Sequence, residues 1–374
     1  MNLPDMMTVA RMHAPGDDLV IEEIPVPVPG PLDVLVKVKA CGIVPNLGNV
    51  LRHVMELLPN LPRPPLPAIF GLDPVGEIAQ VGSQVHNLSV GQRVYANPGR
   101  SCGSCARCRR GDTISCQDYA LQGYLGCRPE AVQTLRDYPY GGLGQYMIAP
   151  ATAMVGIPDN VTFDQAARFG YLGTMFAALR KLKAGPGDTI LINGISGTLG
   201  IGGALLGLAM GVDRILGTGR DPVLLERVKA LAPDRIETFS ILDGSVRDWV
   251  MERTNGAGVD GFVDALGPGA AHETFNQAFH SLRRGGSAVN IGAIVGGVPI
   301  DLHWMMDNGM SLYGSGWFTT DEAEMMAGLA RNGLLDMSVF KTHAYALKDV
   351  NEAISGIAVR EGGFSNFVIR PHEG

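Results

Sequence analysis

The chain has no surplus of positive charge, no long apolar run and few cysteines. Its 374 residues carry 30 lysines and arginines against 37 aspartates and glutamates, a net charge of −7. Phosphate backbones are held by basic patches, so no nucleic acid is expected as a partner. The local basic run Arg107, Arg109, Arg110 reads as a solvated face. The longest apolar stretch, around Ile201 to Val212, is glycine-rich and too short to span a bilayer, so no membrane is expected. The opening MNLPDMMTVARMHAPGDD lacks a basic segment followed by an apolar core, so no secretory signal is read there. Together these absences lead to the expectation of a cytoplasmic protein whose thiols stay reduced. Internal repeats and low-complexity linkers are missing too.

The cysteines that are present are concentrated. Four of the six, Cys102, Cys105, Cys108 and Cys116, lie in the fifteen-residue run CGSCARCRRGDTISC. The spacing is C-x2-C-x2-C-x7-C. Turns of the Cys-x-x-Cys type set two thiolates on one metal with little strain, and four thiolates close a tetrahedral zinc site. Two disulfides or chance clustering are the competing readings. A closed site offers no open position to a substrate, so the metal expected here is one structural zinc.

The pattern around the lobe divides the chain in two. DVLVKVKACGI alternates as a strand does, and PVGEIAQVG, VGQRVYANP and GGLGQYMIAP repeat the pattern between turn signals. That predicts a compact β domain. The middle of the chain changes character. DTILIN is an apolar strand, GISGTLG a glycine-rich turn and IGGALLGLAMG a helix. RILGTG, DPVLLERVKALA, GVDGFVDALG and GGSAVNIGAI continue a β–α alternation. Such alternation builds a doubly wound parallel sheet, so the fold class is α/β. From about Ser311 the chain reads as helices and a final strand, SNFVIRP, returning to the first domain.

Gly194, Gly197 and Gly200 sit between strand and helix, with Thr198 and Leu199 opening the helix. Glycine lets backbone approach a pyrophosphate, which rests on the helix N-terminus. The next strand ends Gly217, Thr218, Gly219, Arg220. An acid near that end would bind the ribose 2′-OH of NAD(H). Gly219 holds the acid's place, Arg220 can pair with a 2′-phosphate, and Thr218 can add a hydrogen bond. Asp221 reads as a helix cap. NADP(H) is therefore favoured over NAD(H). Leu266, Ile291, Gly292 and Ala293 follow the later strands and complete the expected cofactor contacts.

These segments resemble the medium-chain dehydrogenase/reductase superfamily, in its zinc-containing alcohol dehydrogenase branch. KACGIVPN, FGLDPVGEIAQVG, VGQRV, the cysteine lobe, the GTMFAAL helix, the glycine turn, VDALG and VNIGA carry the resemblance across nearly the whole chain. It implies a GroES-like β catalytic domain at 1–160 and 311–374, with the zinc lobe at about 98–120, and a Rossmann domain at 161–310. It also implies hydride transfer to or from a small-molecule substrate, and a homodimer or homotetramer. The departures concern the family's second, catalytic zinc. Its cysteine in a run like A-C-G-V-C-H-T-D falls on Val44, its histidine of G-H-E on Leu72, and its second cysteine on Gly170. One remaining carboxylate, Asp73, is not a zinc site. A structural zinc without a catalytic one is the expectation. Cys41 reads as a packed core thiol.

Hydride chemistry belongs to the nicotinamide, but the Lewis acid that stabilises an alkoxide would be gone. Reduction of a C=C conjugated to a carbonyl, of an iminium or of an activated carbonyl then fits best. A ketone reductase or alcohol dehydrogenase with side-chain acid catalysis, and a non-catalytic nucleotide-binding module, are the alternatives. Asn46 at the family's relay position, Asp73, Tyr171 after the vacated Gly170, and His53 in LRHVMELLP are the candidates for proton and charge handling.

Overall fold

The computed structural model describes residues 3–52 and 61–373. Two sheets organise them. The first runs in the order Met154–Gly156, Arg93–Ala96, Asp73–Val81, Asp33–Gly42, Ser365–Arg370, Lys341–Ala346, with Tyr146–Pro150 also paired to Asp33–Gly42. Asp33–Gly42 lies inside this sheet, and Val34, Leu35, Val36, Val38, Ala40 and Cys41 on it are fully buried. Valine and leucine suit a pleated surface covered on both sides, which is why this run is the most apolar strand of the first half. A smaller sheet of Val20–Pro25, Met6–Met12 and Ala68–Ile69 adjoins it.

The second sheet is wholly parallel. Its order is Ile236–Ser240, Arg214–Gly219, Thr189–Asn193, Val259–Asp264, Leu282–Asn290, Ser311–Gly314. Numbered along the chain that is 3-2-1-4-5-6, the doubly wound order with its switch point beside the first strand. The domain boundary expected at 311 needs correction here. Ser311–Gly314 pairs with Ser287–Asn290, so the last parallel strand lies beyond it. The local signals on this domain behave as their chemistry dictates. Asp221 accepts hydrogen bonds from the Val223 and Leu224 amides and caps the helix Pro222–Lys229. On one side a separate apolar cluster gathers Leu191, Leu216, Trp249, Phe262, Phe275, Phe279 and Met310.

The helix Phe169–Leu182 joins the two halves. It packs on the helix Thr198–Ala209 and on the parallel sheet, and the helix Thr320–Arg331 packs on it in turn. The chain then returns to the first sheet through Lys341–Ala346 and Ser365–Arg370, which pair in parallel. Lys341–Ala346 was not resolved by the sequence pattern, because its residues are half-exposed and do not alternate cleanly. Among the described residues no helix is long and apolar enough to cross a membrane.

Candidate active site and metal centre

The cysteine lobe is an excursion from the first domain. Two short 3-10 turns, Cys108–Arg110 and Thr113–Ser115, fold the run back on itself, with Gly111 in the left-handed region. All four thiol sulfurs lie within 4.8 Å of one another, and none is in a disulfide. The Cys105–Cys108 and Cys102–Cys116 separations are both 3.6 Å, and Cys105–Cys116 is 3.9 Å. Zinc–sulfur bonds of about 2.3 Å at tetrahedral angles give an edge of about 3.8 Å, so the four thiols fit zinc. Backbone N–H groups of Ser104 and Cys105 pull the Cys102 thiol below its ordinary value. The lobe is a structural zinc site. Arg107, Arg109 and Arg110 are exposed around it, and Arg107 pairs with Asp112 at 3.3 Å.

The glycine turn lies at the carboxyl end of the first parallel strand, where a doubly wound sheet offers a crevice for a dinucleotide. Gly194 adopts φ +77°, and Gly197 stands at the N-cap of the helix that Thr198 and Leu199 begin. A Cβ on Gly200 would sit 2.1 Å from the Gly194 carbonyl oxygen, so only glycine allows this turn to close on itself. Opposite, the Ala293 amide donates to the Leu266 carbonyl at 2.8 Å, which brings Leu266, Ile291, Gly292 and Ala293 to the same rim. Leu266 lies against Gly194. Gly219 ends its strand buried, and Arg220 is exposed. Thr218 departs from its expected role. It is fully buried, and its hydroxyl donates to Asn193 Oδ1 at 2.7 Å. Asn193 in turn donates to Asp264, so Thr218 belongs to a buried polar network: its one proton is spent on Asn193, and full burial keeps its oxygen from a ribose. Burial pushes Asp264 up to about 6. The C-terminal segment, unforeseen in the sequence pattern, closes the turn from outside: the Gly363 amide donates to the Ser196 carbonyl at 2.8 Å.

Val44, Leu72 and Gly170 stand where the family resemblance would put catalytic-zinc ligands, and Asp73 lies against Gly170. Val44 and Leu72 are buried. Asp73 opens its strand opposite Gly42 and is about 1 % exposed. Its Oδ1 accepts a hydrogen bond from the Tyr95 hydroxyl at 3.0 Å, and the Gly170 amide also faces it. A Cβ on Gly170 would lie 2.0 Å from Asp73 Oδ1 and 2.6 Å from its Cγ. The carboxylate thus occupies the space of the side chain that residue 170 lacks. Burial pushes Asp73 up to about 7, against the opposing pull of Tyr95, the Arg168 guanidinium and the Gly170 amide. Cys41 is fully buried next to it, its thiol raised by burial and by the Asp73 charge. Among the described residues, the four lobe cysteines are the one group of three or more His, Cys, Asp or Glu whose ligand atoms converge.

The other candidates divide. Asn46 is exposed and donates from Nδ2 to the Tyr124 hydroxyl at 3.3 Å. Tyr171 is half-buried, its hydroxyl makes no hydrogen bond among the described residues, and the Arg168 guanidinium lies 5.8 Å from its ring centre. Burial raises its phenol far above the ordinary value. His53 lies outside the described residues. Tyr124 and Arg168 were missed. Tyr124 sits in ALQGYLG, where nothing but a turn is legible. Arg168 is buried and donates to the carbonyls of Gly363 at 2.7 Å and Ser365 at 3.2 Å, a role visible only once the C-terminal segment is folded back. Trp317 is core, its indole N–H donating to Asn97 at 3.0 Å. An open cavity of about 690 Å³ beside His280 and Trp304 contains none of these site residues.

A β domain with a four-thiolate lobe, joined to a doubly wound sheet with a glycine turn at its switch point, defines a nicotinamide-dependent dehydrogenase. Residues 30–159 match the alcohol dehydrogenase GroES-like domain, and residues 198–331 match the zinc-binding dehydrogenase family. The chain is 31% identical over 289 residues to an alcohol dehydrogenase of Geobacillus stearothermophilus, covering 76% of this chain and 77% of that one. It is 29% identical over 360 residues to a sorbitol dehydrogenase of Bacillus subtilis (strain 168), covering 94% of each. The crystal structure of AibC superposes with a TM-score of 0.83 at 27% identity, covering 99% of this chain and 97% of that chain. The protein belongs to the zinc-containing alcohol dehydrogenase family and is a medium-chain NAD(P)-dependent dehydrogenase acting on a small molecule.

Proposed function

We propose that this dehydrogenase works without a catalytic zinc, as an NADPH-dependent reductase of a conjugated C=C, an iminium or an activated carbonyl. The observation that carries the reading is the Asp73 carboxylate, seated where a side chain of residue 170 would reach for metal, with Val44 and Leu72 apolar beside it. Reduced nicotinamide supplies hydride when bound. The chain's own residues then have to orient the substrate and stabilise charge on its heteroatom, with Asn46 and Tyr171 on the substrate side and Asp73 buried behind them. Elemental analysis of dialysed protein tests this. One zinc per chain supports the reading, and two would show that Asp73 and further ligands rebuild a second site. Alcohol oxidation is the second reading, favoured by the similarity to the Bacillus sorbitol dehydrogenase.

The NADP(H) preference rests on Gly219 and Arg220. A Cβ on Gly219 would already crowd Leu225 and Ser196, both at 3.0 Å, leaving little space for an acid. Arg220 is exposed and makes no ion pair among the described residues, free to meet a 2′-phosphate. Arg220→Ala should raise KM for NADPH about tenfold and leave NADH unchanged. Assembly as a homodimer or homotetramer belongs to the same reading. Ser311–Gly314 is an edge strand, and Leu302, Met306 and Tyr313 near it are exposed. Sedimentation equilibrium tests that. A cytoplasmic location is likewise part of the proposal, in keeping with six free cysteines.

A further inference from the structure

A hairpin turn brings one phenol next to the segment Gly71–Asp73. Ala120–Leu121 and Leu125–Gly126 pair as short strands, and Tyr124 lies on the turn between them. Gly123 there has φ +68°, and a Cβ on it would lie 2.5 Å from Gly141 Cα and 2.7 Å from the Gly71 carbonyl oxygen. The Gly71 amide donates to the Gly123 carbonyl at 3.0 Å. Backbone contacts at glycine thus pin the turn beside Leu72 and Asp73.

The Tyr124 ring is buried and its hydroxyl oxygen accepts from Asn46 Nδ2. Asn46 cannot turn over without loss, because its Oδ1 is already taken by Asn49 Nδ2 at 2.9 Å. The Tyr124 proton has no acceptor among the described residues. The Tyr171 hydroxyl, on the helix that also carries Gly170, is likewise unbonded. Asp73, by contrast, is locked to Tyr95 and the Gly170 amide behind them.

On the zinc-free reading above, we propose that Tyr124, held by Asn46, donates its hydroxyl to the carbonyl oxygen of an α,β-unsaturated carbonyl substrate, with Tyr171 on the other side of that oxygen. The β-carbon takes up hydride from the reduced nicotinamide. The C=C electron pair shifts to form the Cα=C bond of an enolate, and the carbonyl pair moves onto oxygen. Tyr124 bonds to that oxygen and keeps its proton. The α-carbon then takes a proton from water as the carbonyl re-forms. The sum is substrate, reduced nicotinamide and one proton giving the saturated carbonyl and oxidised nicotinamide. A phenol suits this task, because an enolate spreads its charge and needs a firm hydrogen-bond donor more than a metal.

The groups whose charge bears on Tyr124 are Asp73 and, from the helical side, Tyr171 with Arg168 beside it. Burial pushes Tyr124 up to about 12. It therefore stays protonated across the working range, whereas a proton drawn from Asp73 would be lost as pH rises through about 7. Three measurements test the assignment, with 2-cyclohexenone as substrate and NADPH as reductant. Tyr124→Phe should lower kcat about 100-fold and Asn46→Ala about tenfold, with KM for NADPH unchanged. Binding of 4-nitrophenol to the cofactor-free protein, an oxyanion probe followed by its absorbance, should weaken more than about tenfold in Tyr124→Phe. Wild-type kcat should stay level from pH 6 to 9. A fall centred near pH 7 transfers the role to Asp73 and overturns the proposal. So does a wild type with one zinc that reduces the enone while both variants keep kcat within twofold. Two zincs per chain, or oxidation of alcohols with no enone reduction, sinks the underlying reading instead. Asn46 is exposed, so its variant remains informative if Tyr124→Phe does not fold.

Discussion

The cysteine lobe and the pocket around Asp73 belong to one domain and are built from opposite materials. The lobe draws all its ligands from fifteen consecutive residues, folds by local turns and leaves Cys102 exposed. The pocket gathers Val44, Leu72, Asp73 and Gly170 from three distant segments, and everything in it is buried. A local site takes its ligand geometry mainly from its own turns. A site assembled from distant segments is a cavity first, and a cavity must be filled by metal, water or protein. The Asp73 carboxyl takes the space beside Gly170, and the cost of its burial is visible in how far its pKa is raised.

The largest effect should come from breaking the lobe. Cys105→Ser removes one of four thiolates, and zinc loss should unfold the lobe and destabilise the protein by several kcal/mol. Zinc stoichiometry near zero with a lowered Tm checks it. Unchanged Tm would mean that the lobe carries no folding energy. A smaller effect tests the pocket. The folded-state pKa of Asp73 is raised from its ordinary 3.8 to about 7, so the folded protein holds this proton longer than the unfolded chain. Its contribution is fully present below about pH 4 and is lost as pH rises through 7, worth on the order of a few kcal/mol. Asp73→Asn should flatten that part of the stability–pH curve in urea melts between pH 4 and 8. An equally steep curve in the variant would remove Asp73 from the account.

The smallest effect sharpens the steric half of the comparison. Helix propensity alone favours Gly170→Ala by about 1 kcal/mol. The clash with the Asp73 carboxylate should reverse the sign, for a net loss of about 1–3 kcal/mol. In an Asp73→Ala background the same substitution should become neutral or stabilising. Additive effects in that double-mutant cycle would mean that the two positions do not compete for one space.

Much of this was legible in the sequence, for identifiable reasons. Thiolate spacing, the glycine turn and strand patterning are local signals, so the zinc lobe and both sheets were visible there. Val44, Leu72 and Gly170 were conspicuous as departures from a family pattern. Thr218 was misread because its strand position could not tell which face its hydroxyl takes, and a bond to Asn193 decides that. Tyr124 and Arg168 were invisible because their partners lie far along the chain: Asn46 for one, Gly363 and Ser365 for the other. The end of the parallel sheet was set too early, since Ser311–Gly314 is short and half-exposed.

The strand Ser365–Arg370 lies inside the first sheet, between Asp33–Gly42 and Lys341–Ala346. That placement sets an order of events on the ribosome. Every strand of the parallel sheet lies between residues 189 and 314, so that sheet can close while synthesis continues. The β domain begins first and finishes last, with the Cys41–Gly42 end of its central strand unpaired on one side until Val368 and Ile369 have emerged. During that interval its apolar strands are exposed to other nascent chains, while all four zinc ligands of the lobe, which lie between residues 102 and 116, have long since emerged.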